Sequence, residues 1–160
     1  MKNYILYLIN FIDSEHIKLF ILSMAPVTEL RFSIPYGILI KSMPLSEVVL
    51  LSIIGNVIIG IIILYIIGPS MQFLRRFSLF KNIIDYIFKR TLYKGSIVER
   101  IKFWGLIIFV GIPLPLTGVW TGALAAYLFG IPTKRSIIAI IIGVLISATI
   151  VTMISLIPFL

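Results

Sequence analysis

At 160 residues the chain carries 60% hydrophobic and only 12% charged side chains, for a mean hydropathy of +1.15; a soluble domain has about a quarter of its residues charged, so water is excluded as the main solvent and lipid is expected. The formal charge of +8 does not call for nucleic acid, because the basic residues flank apolar segments, where they set topology and meet anionic lipid. With no cysteine and one histidine, His16, the chain offers no disulfide, thiolate or histidine-rich metal site, implies no cofactor and presents no catalytic constellation, so an enzyme is not expected.

Residues 1–14 open with a lysine and an apolar stretch, but Asp13 and Glu15 interrupt it and no small-residue cleavage site follows. They read as a retained interfacial helix. Residues 17–40 form an apolar region broken by Pro26, Glu29, Arg31, Pro35 and Gly37. Each half is about ten residues, or about 15 Å of helix, half of what a bilayer core requires. The economical reading is a re-entrant hairpin with a turn at mid-depth; the rival is one kinked spanning helix. Irregular backbone at that depth is tolerated only where protein buries it or water lines it. Residues 48–67 are a charge-free run long enough to span.

Between residues 71 and 92, Phe73, Phe77, Phe80, Ile84 and Phe88 recur at helical spacing with Arg75, Arg76, Lys81 and Lys89 mostly between them. This pattern predicts an amphipathic helix on an anionic leaflet. A second broken region, 103–130, contains Gly111, Pro113, Pro115, Gly118 and Gly122, and a second charge-free run covers 137–156.

The halves repeat. Glu15-His-Ile-Lys-Leu-Phe20 matches Glu99-Arg-Ile-Lys-Phe-Trp104, and Pro26-Val-Thr28 matches Pro115-Leu-Thr117. Pro44 precedes Gly55 by the same spacing as Pro132 precedes Gly143. If each hairpin returns to its own side, each half crosses the bilayer once and the halves are inverted. Ten basic residues, from Arg75 to Arg135, then fall with the connector and the second hairpin's ends, against Lys2, Lys18 and Lys41 on the other side. That asymmetry places the connector in the cytoplasm, and inverted repeats with broken helices are a recurring transporter plan. The expected organisation is one all-α membrane domain, 1–160: interfacial helix 1–14, repeat one 15–68, cytoplasmic amphipathic connector 69–98 and repeat two 99–160.

Glu29 and Arg31 are the charges inside the first broken region, and ionisable groups at membrane depth face a cavity, a partner or a substrate. Positions two apart on a helix point in different directions, so the two are not expected to neutralise one another. Glu29 is a candidate for proton exchange; the structural alternative is that both charges tie the hairpin tip to the fold. In the second tip Pro113 and Pro115 end the incoming helix, Thr117 is placed to cap the outgoing one, and Gly118 and Gly122 allow close backbone approach. Both outgoing half-helices would aim N–H groups at the membrane centre, an anion-binding arrangement that Arg31 reinforces. Trp120 and Thr121 are candidates to line the same space. Asn56 reads first as a helix–helix hydrogen bond.

Pro26-Val-Thr-Glu-Leu-Arg-Phe-Ser-Ile-Pro35 and Ile112-Pro-Leu-Pro-Leu-Thr-Gly-Val-Trp-Thr-Gly122 resemble the signature segments of the small multidrug export family, a distant relative of the DedA superfamily. Phe32-Ser33 and Leu116 depart from the usual pattern beside those motifs. The resemblance implies two re-entrant hairpins in inverted repeat and, through DedA relatives, movement of lipid phosphates such as undecaprenyl phosphate linked to ion gradients.

The resulting expectation is a multi-pass cell-membrane transporter or flippase, linked to a proton or sodium ion. Its substrate would be an amphiphilic anion, its surroundings anionic lipid, and a homodimer is compatible with it. The alternatives are a proton-coupled exporter of cationic molecules and a non-transporting scaffold.

Overall fold

The computed structural model describes residues 14–74, 96–114 and 117–159. The expected interfacial helix, most of the amphipathic connector and Pro115 lie outside the described residues. Those residues are helical throughout their regular elements: α1 (Glu15–Met24), α2 (Glu29–Pro35) running into a π turn (Tyr36–Ile40), α3 (Leu45–Leu74), α4 (Ser96–Gly111), α5 (Val119–Leu128) and α6 (Thr133–Leu156). Two compact units are present, one of Met1–Asn56 with Ala148–Leu160, the other Val57–Ser147.

In the first unit α1 stops at Pro26. Ala25, the residue before that proline, is extended (φ −72°, ψ 140°), because proline's ring disfavours the helical conformation there. A three-residue turn follows and α2 doubles back. Its return ends in an unexpected way. Pro35 lacks an N–H, and beyond it the ladder lengthens to a π turn, with Lys41 N–H donating to the Tyr36 carbonyl at 3.1 Å. Gly37 makes this path possible. A Cβ there would stand 2.6 Å from Val48 and 3.1 Å from Leu19.

The doubling back is fixed at its open end, where Lys41 Nζ lies 3.1 Å from the Glu15 carboxylate. A continuous helix would hold residues 15 and 41 about 39 Å apart at 1.5 Å per residue. In the second unit α4 and α5 likewise fold back, and Lys102 Nζ donates to the Phe129 carbonyl at 3.0 Å.

Among the described residues, the long helices α3 and α6 are the two long and apolar enough to cross a membrane. α3 runs past the expected end of the first repeat to Leu74, through Pro69, so residues 69–74 continue the long helix. α4 begins at Ser96, which moves the last connector residues into the second hairpin. Only 28% of α3's apolar stretch and 39% of α6's are buried, unlike the core helices of a water-soluble domain. Outward-facing Leu50, Ile54, Ile58, Ile62 and Ile66 form a ridge at every fourth position of α3, while Ser52 and Asn56 are fully buried. Polar groups inside and branched aliphatics outside is the distribution that hydrocarbon surroundings select.

Each unit uses a glycine of its long helix in the same way. A Cβ on Gly55 would collide with the Ser23 hydroxyl and stand 3.0 Å from the Phe20 carbonyl of α1. A Cβ on Gly143 would stand 2.7 Å from Val110 and 3.0 Å from the Ile107 carbonyl of α4. In both, the long helix lies against the backbone of its hairpin's first helix, three residues separating the two contacts. The paired glycines of the sequence repeat thus do one packing job.

Candidate functional site

The end of a helix leaves its last carbonyls without partners. For α1 three separate donors meet that need. Ala25 N–H reaches Ile21 O at 3.2 Å, the Thr28 hydroxyl reaches Leu22 O at 2.6 Å, and Asn56 Nδ2 reaches Ser23 O at 2.7 Å. Thr28 therefore serves the helix behind it; α2 has no side-chain cap. Asn56 is the helix–helix hydrogen bond expected of it. The Ser33 hydroxyl donates to Ser52 at 2.7 Å, joining α2 to α3 in the same interior.

This turn holds Glu29. It is buried, with a φ of +46°, a left-handed conformation that a residue with a Cβ adopts at a cost of about 1–2 kcal/mol. Its Oε2 lies 3.8 Å from Nη2 of Arg31. Helical spacing predicted that these charges would not face each other. Glu29 is the first residue of α2 and not helical in φ, so that rule does not govern it. The carboxylate side chain is 8% exposed and the guanidinium 22%, an ion pair at the buried turn of the first hairpin.

The open end of the same hairpin carries a network that the sequence marked only as charged flanks. Glu15 accepts from Lys18 at 2.9 Å, Lys41 at 3.1 Å and the Tyr36 hydroxyl at 3.2 Å. The Lys18 ammonium, then Lys41 and Tyr36, hold the Glu15 carboxyl below the usual carboxylate value against its own desolvation. Lys41 is raised in turn, chiefly by Glu15. His16 Nε2–H donates to Glu47 at 2.8 Å, fastening the start of α1 to the start of α3.

In the second hairpin the N-cap of α5 is Gly118, preceded by Thr117. Its hydroxyl lies 2.8 Å from the carbonyls of both Ile112 and Leu114 and accepts from Leu114 N–H at 3.2 Å. Like Thr28, it closes the turn behind it. Gly118 precedes α5 at φ 153° and ψ −164°, a region open essentially to glycine alone. Gly122 lies where a Cβ would stand 2.5 Å from Val110. Trp120 and Thr121 follow in the first turn of α5. With Ile59, Ile63, Ile66 and Leu124 they line an almost wholly apolar cavity of about 560 Å³ between α5 and the later part of α3. No group of three or more metal-ligating side chains exists among the described residues.

A family model described as "Putative small multi-drug export protein" matches residues 29–150. No curated protein and no solved structure matches the chain.

Proposed function

The chain belongs to this small multi-drug export family, and on that premise we propose that it is a membrane transporter, linked to a proton or another ion, that moves an amphiphilic anion such as a polyprenyl lipid phosphate. The observation that carries the reading is the Glu29–Arg31 pair at 3.8 Å in the buried turn. A guanidinium grips phosphate well. Here its charge is shared with Glu29, so an arriving anion competes with the carboxylate for Arg31. Protonation of Glu29 removes the competitor. By linkage, anion binding and proton uptake then favour each other. The left-handed backbone of Glu29 fits a strained group placed for function.

In this reading both hairpins are re-entrant, the halves form an inverted repeat and the connector is cytoplasmic. The Glu15–Lys41 and Lys102–Phe129 contacts support the first point. The matched roles of Gly55 and Gly143, and of Thr28 and Thr117, support the second. The basic excess beside the connector supports the third. The apolar cavity beside Trp120 and Thr121 suits a hydrocarbon tail. The lipid-phosphate choice rests on the likeness of the paired tips to the DedA superfamily.

A cation exporter is the second reading, favoured by the family's description and by Glu29 being the more buried partner. Flux assays in proteoliposomes separate the two, run side by side with a polyprenyl phosphate and a cationic dye. The anion reading expects phosphate flux that rises at lower pH, persists without pH dependence in Glu29→Gln and is lost in Arg31→Gln. Dye flux that needs Glu29 and survives Arg31→Gln would replace it with the cation reading.

A further inference from the structure

We infer that the open end of the second hairpin holds an anionic phospholipid, with its phosphate on Lys102 and a chain in the groove between α4 and α5. This site uses none of the residues of the Glu29–Arg31 turn and does not depend on the transport reading.

Lys102, Gly105, Leu106 and Phe109 recur at helical spacing on one face of α4. With Ala125 of α5 and Phe129, the residue just after it, they line a groove of about 410 Å³. All but Lys102 are apolar. The groove exists because residue 105 is glycine: a Cβ there would meet nothing within 4 Å, so nothing else fills the space. Lys102 stands at the mouth. Its ammonium is held in place by the Phe129 carbonyl at the end of α5, on the exposed side. The same end carries Arg100 and, in the first turn of α6, exposed Lys134 and Arg135.

A cation at the lip of an apolar groove matches an acidic headgroup attached to a hydrocarbon chain. Basic sites between membrane helices bind anionic headgroups in this way. The roles of the two parts differ for a physical reason. Lipid tails are as apolar as the groove, so a chain leaving the bilayer for the groove gains packing and little hydrophobic energy. Headgroup charge must therefore decide which lipid binds. Groove shape decides whether any lipid stays.

The test uses the full chain purified in detergent with equal phosphatidylglycerol and phosphatidylcholine, retained lipid being counted by native mass spectrometry. Phosphatidylglycerol should be retained in preference. Lys102→Gln should lower that preference by about five-fold, the factor corresponding to ~1 kcal/mol per lysine near an anionic surface, and Lys102→Arg should keep it. Gly105→Leu should abolish retention of both lipids while leaving helicity and monodispersity unchanged. Added inorganic phosphate should not displace the lipid. Equal retention of the two lipids, an unchanged preference in Lys102→Gln, full retention in Gly105→Leu, or displacement by inorganic phosphate would each overturn the site. Should Lys102→Gln fail to fold, the Lys102→Arg and Gly105→Leu pair decides the question.

Discussion

Replacing Asn56 by leucine tests how the buried end of α1 is capped. Asn56 is fully buried, and its Nδ2 donates to the Ser23 carbonyl at 2.7 Å. Leucine keeps the bulk and removes the donor, so the carbonyl loses its partner where no water replaces it. A buried acceptor left unsatisfied costs about 1–3 kcal/mol. Hydrogen bonds between membrane helices measured by double-mutant cycles average about 0.6 and reach about 1.7 kcal/mol. The substitution also removes Asn56 Oδ1, a buried acceptor with no hydrogen bond among the described residues, and that relief offsets part of the loss. The expected net destabilisation is therefore about 1 kcal/mol. Thr28→Val removes the neighbouring bond to Leu22 O and should cost a similar amount. Both act on the end of α1, so the double variant should lose less than the sum. Reversible unfolding in mixed micelles of increasing denaturing detergent, followed by circular dichroism, measures all three. An Asn56→Leu protein as stable as the parent, or strictly additive losses in the double variant, would refute the capping role.

Gly118→Ala should destabilise the second hairpin by about 1–3 kcal/mol, the cost of forcing a Cβ into a glycine-only conformation, whereas Gly105→Ala should be neutral or stabilising by up to about 1 kcal/mol because its Cβ meets open space; the same unfolding assay ranks them, and the reverse order would sink the account of both glycines. The latch at Glu15 has a defined pH window. Its carboxyl is lowered in the folded state, so its contribution is present above the unfolded carboxylate value, about 4.3, and is lost as pH falls through the lower folded value; Lys41, raised, gives a contribution present below about 10.4 and lost as pH rises through its folded value. Stability of the parent should hold between those limits and decline outside them, and Glu15→Gln should flatten the acid limb. Single cysteines at Ile17 and Ile40, in a chain with no native cysteine, should label from the same side of a vesicle; labelling from opposite sides would end the re-entrant reading.

Composition and pattern alone determined the solvent, the helical class and the positions of the breaks. Runs of isoleucine without charge can satisfy their backbone in lipid only as helices, and proline removes a donor wherever it falls, so the long helices and the ends of α1 and α4 were legible residue by residue. The paired Pro, Gly and Thr positions were legible too, because few residue types suit a turn or a close backbone approach. What each side chain contacts was decided by tertiary structure. Thr28, at the N-cap of α2, and Thr117, one residue before the N-cap of α5, turn their hydroxyls to the carbonyls behind them, the groups the break leaves without partners. Glu29 meets Arg31 through a left-handed backbone that no helical rule anticipates. The Glu15–Tyr36–Lys41 network depends on residues more than twenty positions apart meeting in space. Periodicity specifies which face of a helix is apolar; only the packed chain specifies what stands opposite.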